Sequence, residues 1–117
     1  MNINKIEKDL TLVVRLTSIQ AKIFLLIVTE GKMTFQIISN KLGISVDEAS
    51  ANCKQLIGLG GFIEITENEF EAMHPRFTAV NMYRRMCEKE KIEFKRNVVV
   101  DNIGVVLERP YDDARTK

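Results

Sequence analysis

LGISVDEASANCKQLIGLGG, Leu42 to Gly61, contains the turn and helix on which the fold turns. Gly43 supplies a left-handed exit from one helix, and Ser45, two residues later, can cap the next. Ser45 with Glu48 has the spacing of a capping box, in which each side chain takes the other's unpaired backbone N–H. From Val46 onward Val46, Ala49, Cys53, Leu56 and Ile57 fall on one side of a helix, and Gly58, Gly60 and Gly61 end it. Two helices joined by so short a turn form a helix-turn-helix, whose second helix offers Ser45, Asp47, Ser50, Ala51, Lys54 and Gln55 on the side away from its apolar stripe.

Upstream, Thr34 is placed to cap the preceding helix, MTFQIISNKLG, with Phe35, Ile38 and Leu42 in one stripe. Before it, TSIQ sets Thr17 and Gln20 as another capping box, and AKIFLLIVTE continues to Gly31. Ile19, Ile23, Phe24, Leu26, Ile27 and Val28 cover much of that helix's circumference, so it is expected to be the buried spine. The opening MNINKIEKDL spaces Ile3, Ile6 and Leu10 as a short amphipathic helix, placed to clasp either the core or a second subunit.

Downstream the apolar period changes from helical to two. FIEI (Phe62 to Ile65) and EFEAM (Glu69 to Met73) alternate apolar and acidic residues around the turn TEN, which predicts a hairpin. Pro75 closes it. A long helix is expected from Thr78, TAVNMYRRMCEKEKIEFKR, with Val80, Tyr83, Cys87 and Phe94 near one line. In VVVDNIGVVLERPYDDARTK, Val99, Ile103, Val106 and Leu107 fit a helical face ending before Pro110, with strand as the alternative; RPYDDARTK is expected to be a surface strap or disordered.

The expected fold is therefore mainly α with a small β-hairpin, an α+β winged helix-turn-helix over residues 1–77. Residues 78–117 form a helical extension. Its apolar positions Val80, Tyr83, Cys87, Phe94, Val99, Ile103, Val106 and Leu107 exceed what so small a domain should cover, which predicts a homodimer formed through them.

The 117 residues suit one domain, and 45% apolar with 28% charged argues against disorder. FLLIV is too short to span a bilayer and the N-terminus lacks a signal-peptide centre, so a cytoplasmic location is expected. Cys53 and Cys87 stand far apart, outside any CxxC, and are expected to be buried free thiols. An enzyme finds no foothold. His74 is the one histidine and precedes a proline in a connection; GLGG follows a helix and leads into a strand, the wrong polarity for a phosphate loop. No cofactor or metal is expected.

Double-stranded DNA is the expected partner, with the helix of residues 45–57 in the major groove. Ser45, Ser50, Lys54 and Gln55 can hydrogen-bond to base edges or phosphates, Ala51 permits close approach, and Asp47 can accept from a cytosine amine. Net charge is only +1. Residues 59–77 carry four acids against Arg76, so a hairpin lying along phosphates is disfavoured and anchoring falls to Lys5, Lys8, Lys32, Lys41, Lys54 and Arg76. A symmetric dimer doubles that set. The alternative carried by the acidic hairpin is an interaction module that docks protein without reading DNA.

From LTSIQAKIFLLIVTEGKMT through ISNKLGISVDEASANCKQLIGLGGFIEI to MHPRFTAVNMYRR, roughly residues 15–95, the chain resembles the DNA-binding domain of TrmB-like archaeal transcription regulators. The resemblance implies operator binding as a dimer, through Ser50, Lys54 and Gln55 of the third helix. Larger members of that family add a sugar-sensing domain; these residues hold no counterpart, and sugar sensing is not expected. The third helix here opens on the acidic SVDEAS, where the family usually has a more basic start.

Overall fold

The computed structural model describes residues 3–116. In chain order it contains α1 (Ile3–Leu12), α2 (Ser18–Glu30), β1 (Met33–Thr34), α3 (Phe35–Leu42), α4 (Val46–Gly58), β2 (Phe62–Thr66), β3 (Glu69–Ala72), α5 (Pro75–Glu90) and α6 (Val98–Arg115). Helix accounts for 68% of the described residues and the remainder includes one small antiparallel sheet, so the chain is α+β and mainly helical. Among the described residues no helix is long and apolar enough to cross a membrane.

Helix α2 is the centre. Its capping box forms in full: Thr17 Oγ1 accepts from the Gln20 N–H and Gln20 Oε1 accepts from the Thr17 N–H. Ala21, Ile23, Phe24, Leu25, Ile27 and Val28 are buried around nearly the whole circumference, each large side chain adding about 1.5–3 kcal/mol as an upper bound. Ile6 and Leu10 of α1, Ala49, Cys53 and Leu56 of α4, Phe70 of β3, and Val100, Ile103 and Leu107 of α6 join the same core. Phe24 stacks on Phe62 with ring centroids 6.0 Å apart, which ties α2 to the start of β2.

The sheet has three strands, in the order β1-β3-β2. Met33 pairs with Phe70 and Thr34 with Glu69, so the residues before α3 form a strand the sequence did not disclose; two residues are too few to show a period. In the hairpin Phe62 pairs with Ala72, Ile63 with Glu71 and Glu64 with Phe70, and the register slips between Glu64 and Thr66. Strand β2 is left on the outer edge.

The C-terminal third departs most from expectation. Helix α5 starts at Pro75, whose missing N–H costs nothing at a first helical position, and His74 Nδ1 accepts the Arg76 N–H at 3.2 Å. It stops at Glu90, where Lys91 turns left-handed at φ 57°, so the single helix expected through Arg96 is cut short. Helix α6 then runs through Pro110 to Arg115 instead of ending before the proline. An interior proline costs roughly 3 kcal/mol. Contacts beyond it hold the last turn in place: the Tyr111 hydroxyl donates to Ala72 O at 3.2 Å, and Arg115 donates to Ile27 O, Val28 O and Tyr111 O while pairing with Glu71 and lying over the Tyr111 ring. The stretch RPYDDARTK is thus helical through Arg115; Lys117, like Met1 and Asn2, lies outside the described residues.

Residues 78–117 consequently share the core of the rest. Helix α6 packs on α5, α2 and α1. At Gly104 it passes close to α5: a Cβ there would sit 2.7 Å from the Arg76 Cα. Of the positions expected at a subunit contact, Cys87, Ile103 and Leu107 are buried within the one chain, Val80, Tyr83, Val99 and Val106 are half-buried, and only Phe94 is exposed. These positions were expected to exceed what so small a domain covers; with α6 folded back on α5, α2 and α1, three of the eight are covered within the one chain.

Candidate nucleic-acid interface

Helix α4 is anchored from beneath by Ala49, Cys53 and Leu56. Its entry is a tight turn: Gly43 adopts φ 66°, the Ile44 N–H donates to Ser39 O at 3.2 Å, and the Ser39 hydroxyl donates to Ile44 O. Ser45 Oγ accepts the Glu48 N–H at 3.0 Å, so one arm of the expected capping box forms. Burial pushes the Cys53 thiol up to about 12, which leaves it an uncharged, apolar part of the helix's underside.

The far end of α4 is clamped by α5. Asn81 Nδ2 donates to Gly60 O at 3.2 Å and Arg85 Nη1 donates to Gly58 O at 2.8 Å. Gly60 stands at φ 85°, a conformation that L side chains rarely adopt, and a Cβ there would displace the Asn81 amide, whose Nδ2 would lie 2.1 Å away. The helix is therefore fixed at both ends and along its base.

Its outer side is open. Asp47, Ala51 and Lys54 are exposed, while Ser50 is half-buried at the lip of a groove of about 790 Å³ between α4 and the hairpin. The groove is lined by Phe35, Ser50, Lys54, Glu64, Thr66, Glu67 and Asn68. Lys54 thus faces two carboxylates of the hairpin. The period-two pattern contained that signal, since Glu64 shares a strand face with the inward Phe62. Asn68 was signalled by nothing: its carbonyl accepts the Phe35 N–H at 3.1 Å, a contact between hairpin turn and α3 that only the folded chain creates.

The other expected contact residues divide. Gln55 is exposed, and its Oε1 accepts from Gln20 Nε2 of α2 at 2.8 Å. Lys41 pairs with Glu30 at 3.0 Å and Arg76 with Glu108 at 3.0 Å. Arg76 lies beside Arg96, Asp101 and Val105, outside the groove that holds Lys54. Lys5 pairs with Asp9 at 2.8 Å, and Lys8 and Lys32 are exposed. Ser45 serves as the cap. Ser50, Ala51 and Lys54, with Asp47 at the helix start, are what the structure brings together on the open side of α4.

His74 caps α5, sits 3.6 Å from Glu108 through Nε2, and packs on the Tyr111 ring. Among the described residues no group of three or more His, Cys, Asp or Glu is arranged to hold a metal ion. In comparisons with protein families, curated proteins and solved structures, the chain matches none.

Proposed function

We propose that this chain is a winged helix-turn-helix regulator of the TrmB-like kind that binds double-stranded DNA as a homodimer, with α4 in the major groove. The supporting observation is the state of α4: held at its base and both ends, yet presenting Asp47, Ala51 and Lys54 to solvent, with no side-chain hydrogen bond or ion pair to them among the described residues. The order of elements, with β1 joining the hairpin strands beside this helix, agrees with a wing. Dimerisation matters because Lys54 alone is a weak anchor; a second copy doubles the cations. In place of the buried residues, Val98 and Val105 on α6, 77% and 52% exposed, together with the exposed Phe94, offer apolar surface for that contact.

The test is a fluorescence-anisotropy titration against promoter fragments across a salt series, repeated with Lys54→Glu. Binding that falls with salt and is lost in the variant supports the reading. Undiminished binding by the variant removes α4 as the reader, and a monomer at tens of micromolar in sedimentation equilibrium removes the dimer. The carboxylates of Glu64 and Glu67 beside Lys54 favour a second reading, a module that docks protein without reading DNA. Pull-down before and after nuclease treatment separates the two.

A further inference from the structure

We propose that the outer edge of β2 receives an extended segment of a partner protein in which apolar and cationic side chains alternate. Among the described residues the strand order β1-β3-β2 gives β2 a strand neighbour on one side only, so its other edge offers backbone N–H and C=O groups to an added strand. Five residues, Phe62–Thr66, are enough to pair a short segment.

The two faces of this edge specify what is added. On one face Ile63 and Ile65 are 41% and 45% exposed, and Met73, two residues beyond the Ile63 partner Glu71, is 44% exposed. On the other face Glu64 opens into the groove that also holds Glu67. Successive side chains of a strand point to opposite faces. An added strand therefore lays every second side chain against the isoleucines and the others toward the carboxylates. Apolar alternating with Lys or Arg satisfies both.

A second copy of β2 fits this edge poorly. Antiparallel pairing over all five residues sets Glu64 opposite its own counterpart, and like charges directly opposed destabilise a sheet. Duplex phosphates meet the same two carboxylates. The inference does not require α4 to read DNA, and the two are tested by different ligands.

The experiment titrates the full chain into a fluorescein-labelled, end-blocked Lys-Val-Lys-Val-Lys-Val-Lys peptide, with a Glu-Val peptide of equal length as control. Binding at least tenfold tighter for the cationic peptide is expected, falling tenfold or more with Glu64→Lys and with Ile65→Lys. Two further peptides carry N-methyl groups on alternate residues, one on each edge of the strand; one should bind and the other should not. Equal binding by both, equal binding of the Glu-Val peptide, or unchanged binding by the two variants overturns the proposal. So does a dimer that Ile65→Lys dissociates in sedimentation equilibrium, which assigns the edge to a second copy. Duplex titration of the same variants keeps a failure here separate from a failure of DNA reading through Lys54.

Discussion

Gln20 Nε2 donates to Gln55 Oε1 at 2.8 Å, and Gln20 Oε1 accepts the Thr17 N–H. One side chain thus starts α2 and holds α4 against it. Gln55→Ala should lower stability by about 1 kcal/mol in urea unfolding, since it leaves the Gln20 amide short of an acceptor. Duplex affinity should stay within about twofold, because the lost group faces α2 and not the groove. Lys54→Ala should do the reverse, weakening DNA binding with little change in the unfolding midpoint.

Arg115 fastens the end of α6 to two other elements, through the C-terminal carbonyls of α2 and the Glu71 carboxylate of β3, while lying over the Tyr111 ring of its own helix. Both partners of the ion pair are mostly shielded, at 19% side-chain exposure each. Arg115→Ala should destabilise the fold by about 2–3 kcal/mol, the range for hydrogen bonds to charged groups lost together. Hydrogen exchange should accelerate from Pro110 onward, where the helix has already lost one backbone bond. Arg115→Lys should recover little, since a single ammonium cannot span the carbonyls and carboxylate that the guanidinium fork reaches.

Helices α2, α3 and α4 were legible because their signals are local. Thr17, Thr34 and Ser45 cap the three helices, and Gly43 turns between the last two, all within a few residues of the backbone groups they serve. The hairpin was legible from its period. What escaped was decided by contacts far apart in sequence. Pro110 reads as a stop until Arg115 is seen to reach Ile27 and Val28, and Cys87, Ile103 and Leu107 read as a subunit contact until α6 is seen lying on α2. At the site, the exposure of Lys54 follows from its place on the helix, whereas the hydrogen bond between Gln20 and Gln55 does not, because nothing near Gln55 in sequence indicates Gln20.

The thiol of Cys53 gives a pH-dependent prediction with a definite sign. Folding raises its pKa from 9.0 to about 12 through desolvation. Between those values the unfolded chain has released this proton and the folded chain has kept it, so stability falls as pH rises above about 9 and levels off near 12. Urea midpoints at pH 8, 9.5 and 10.5 should descend, and Cys53→Ala should flatten the descent relative to its own pH 8 value. Alkylation by iodoacetamide at pH 8 should leave Cys53 untouched in the native protein and modify it in urea, because the thiolate fraction differs by about a thousandfold.

Glu64 and Glu67 oppose the approach of a polyanion to Lys54, since all three line one groove. If α4 enters the major groove, each carboxylate stands within about a Debye length of phosphates, where a unit charge in water-like surroundings is worth some tenths of a kcal/mol to about 1 kcal/mol. Glu64→Gln and Glu67→Gln should each tighten duplex binding about two- to fivefold at low salt, and the gain should shrink toward nothing near 0.5 M salt as screening removes the repulsion. Lys54→Gln should act in the opposite direction and flatten the salt dependence by about one counterion. A duplex that binds all three variants alike engages some other face of the molecule, and the hairpin carboxylates then stand outside its field.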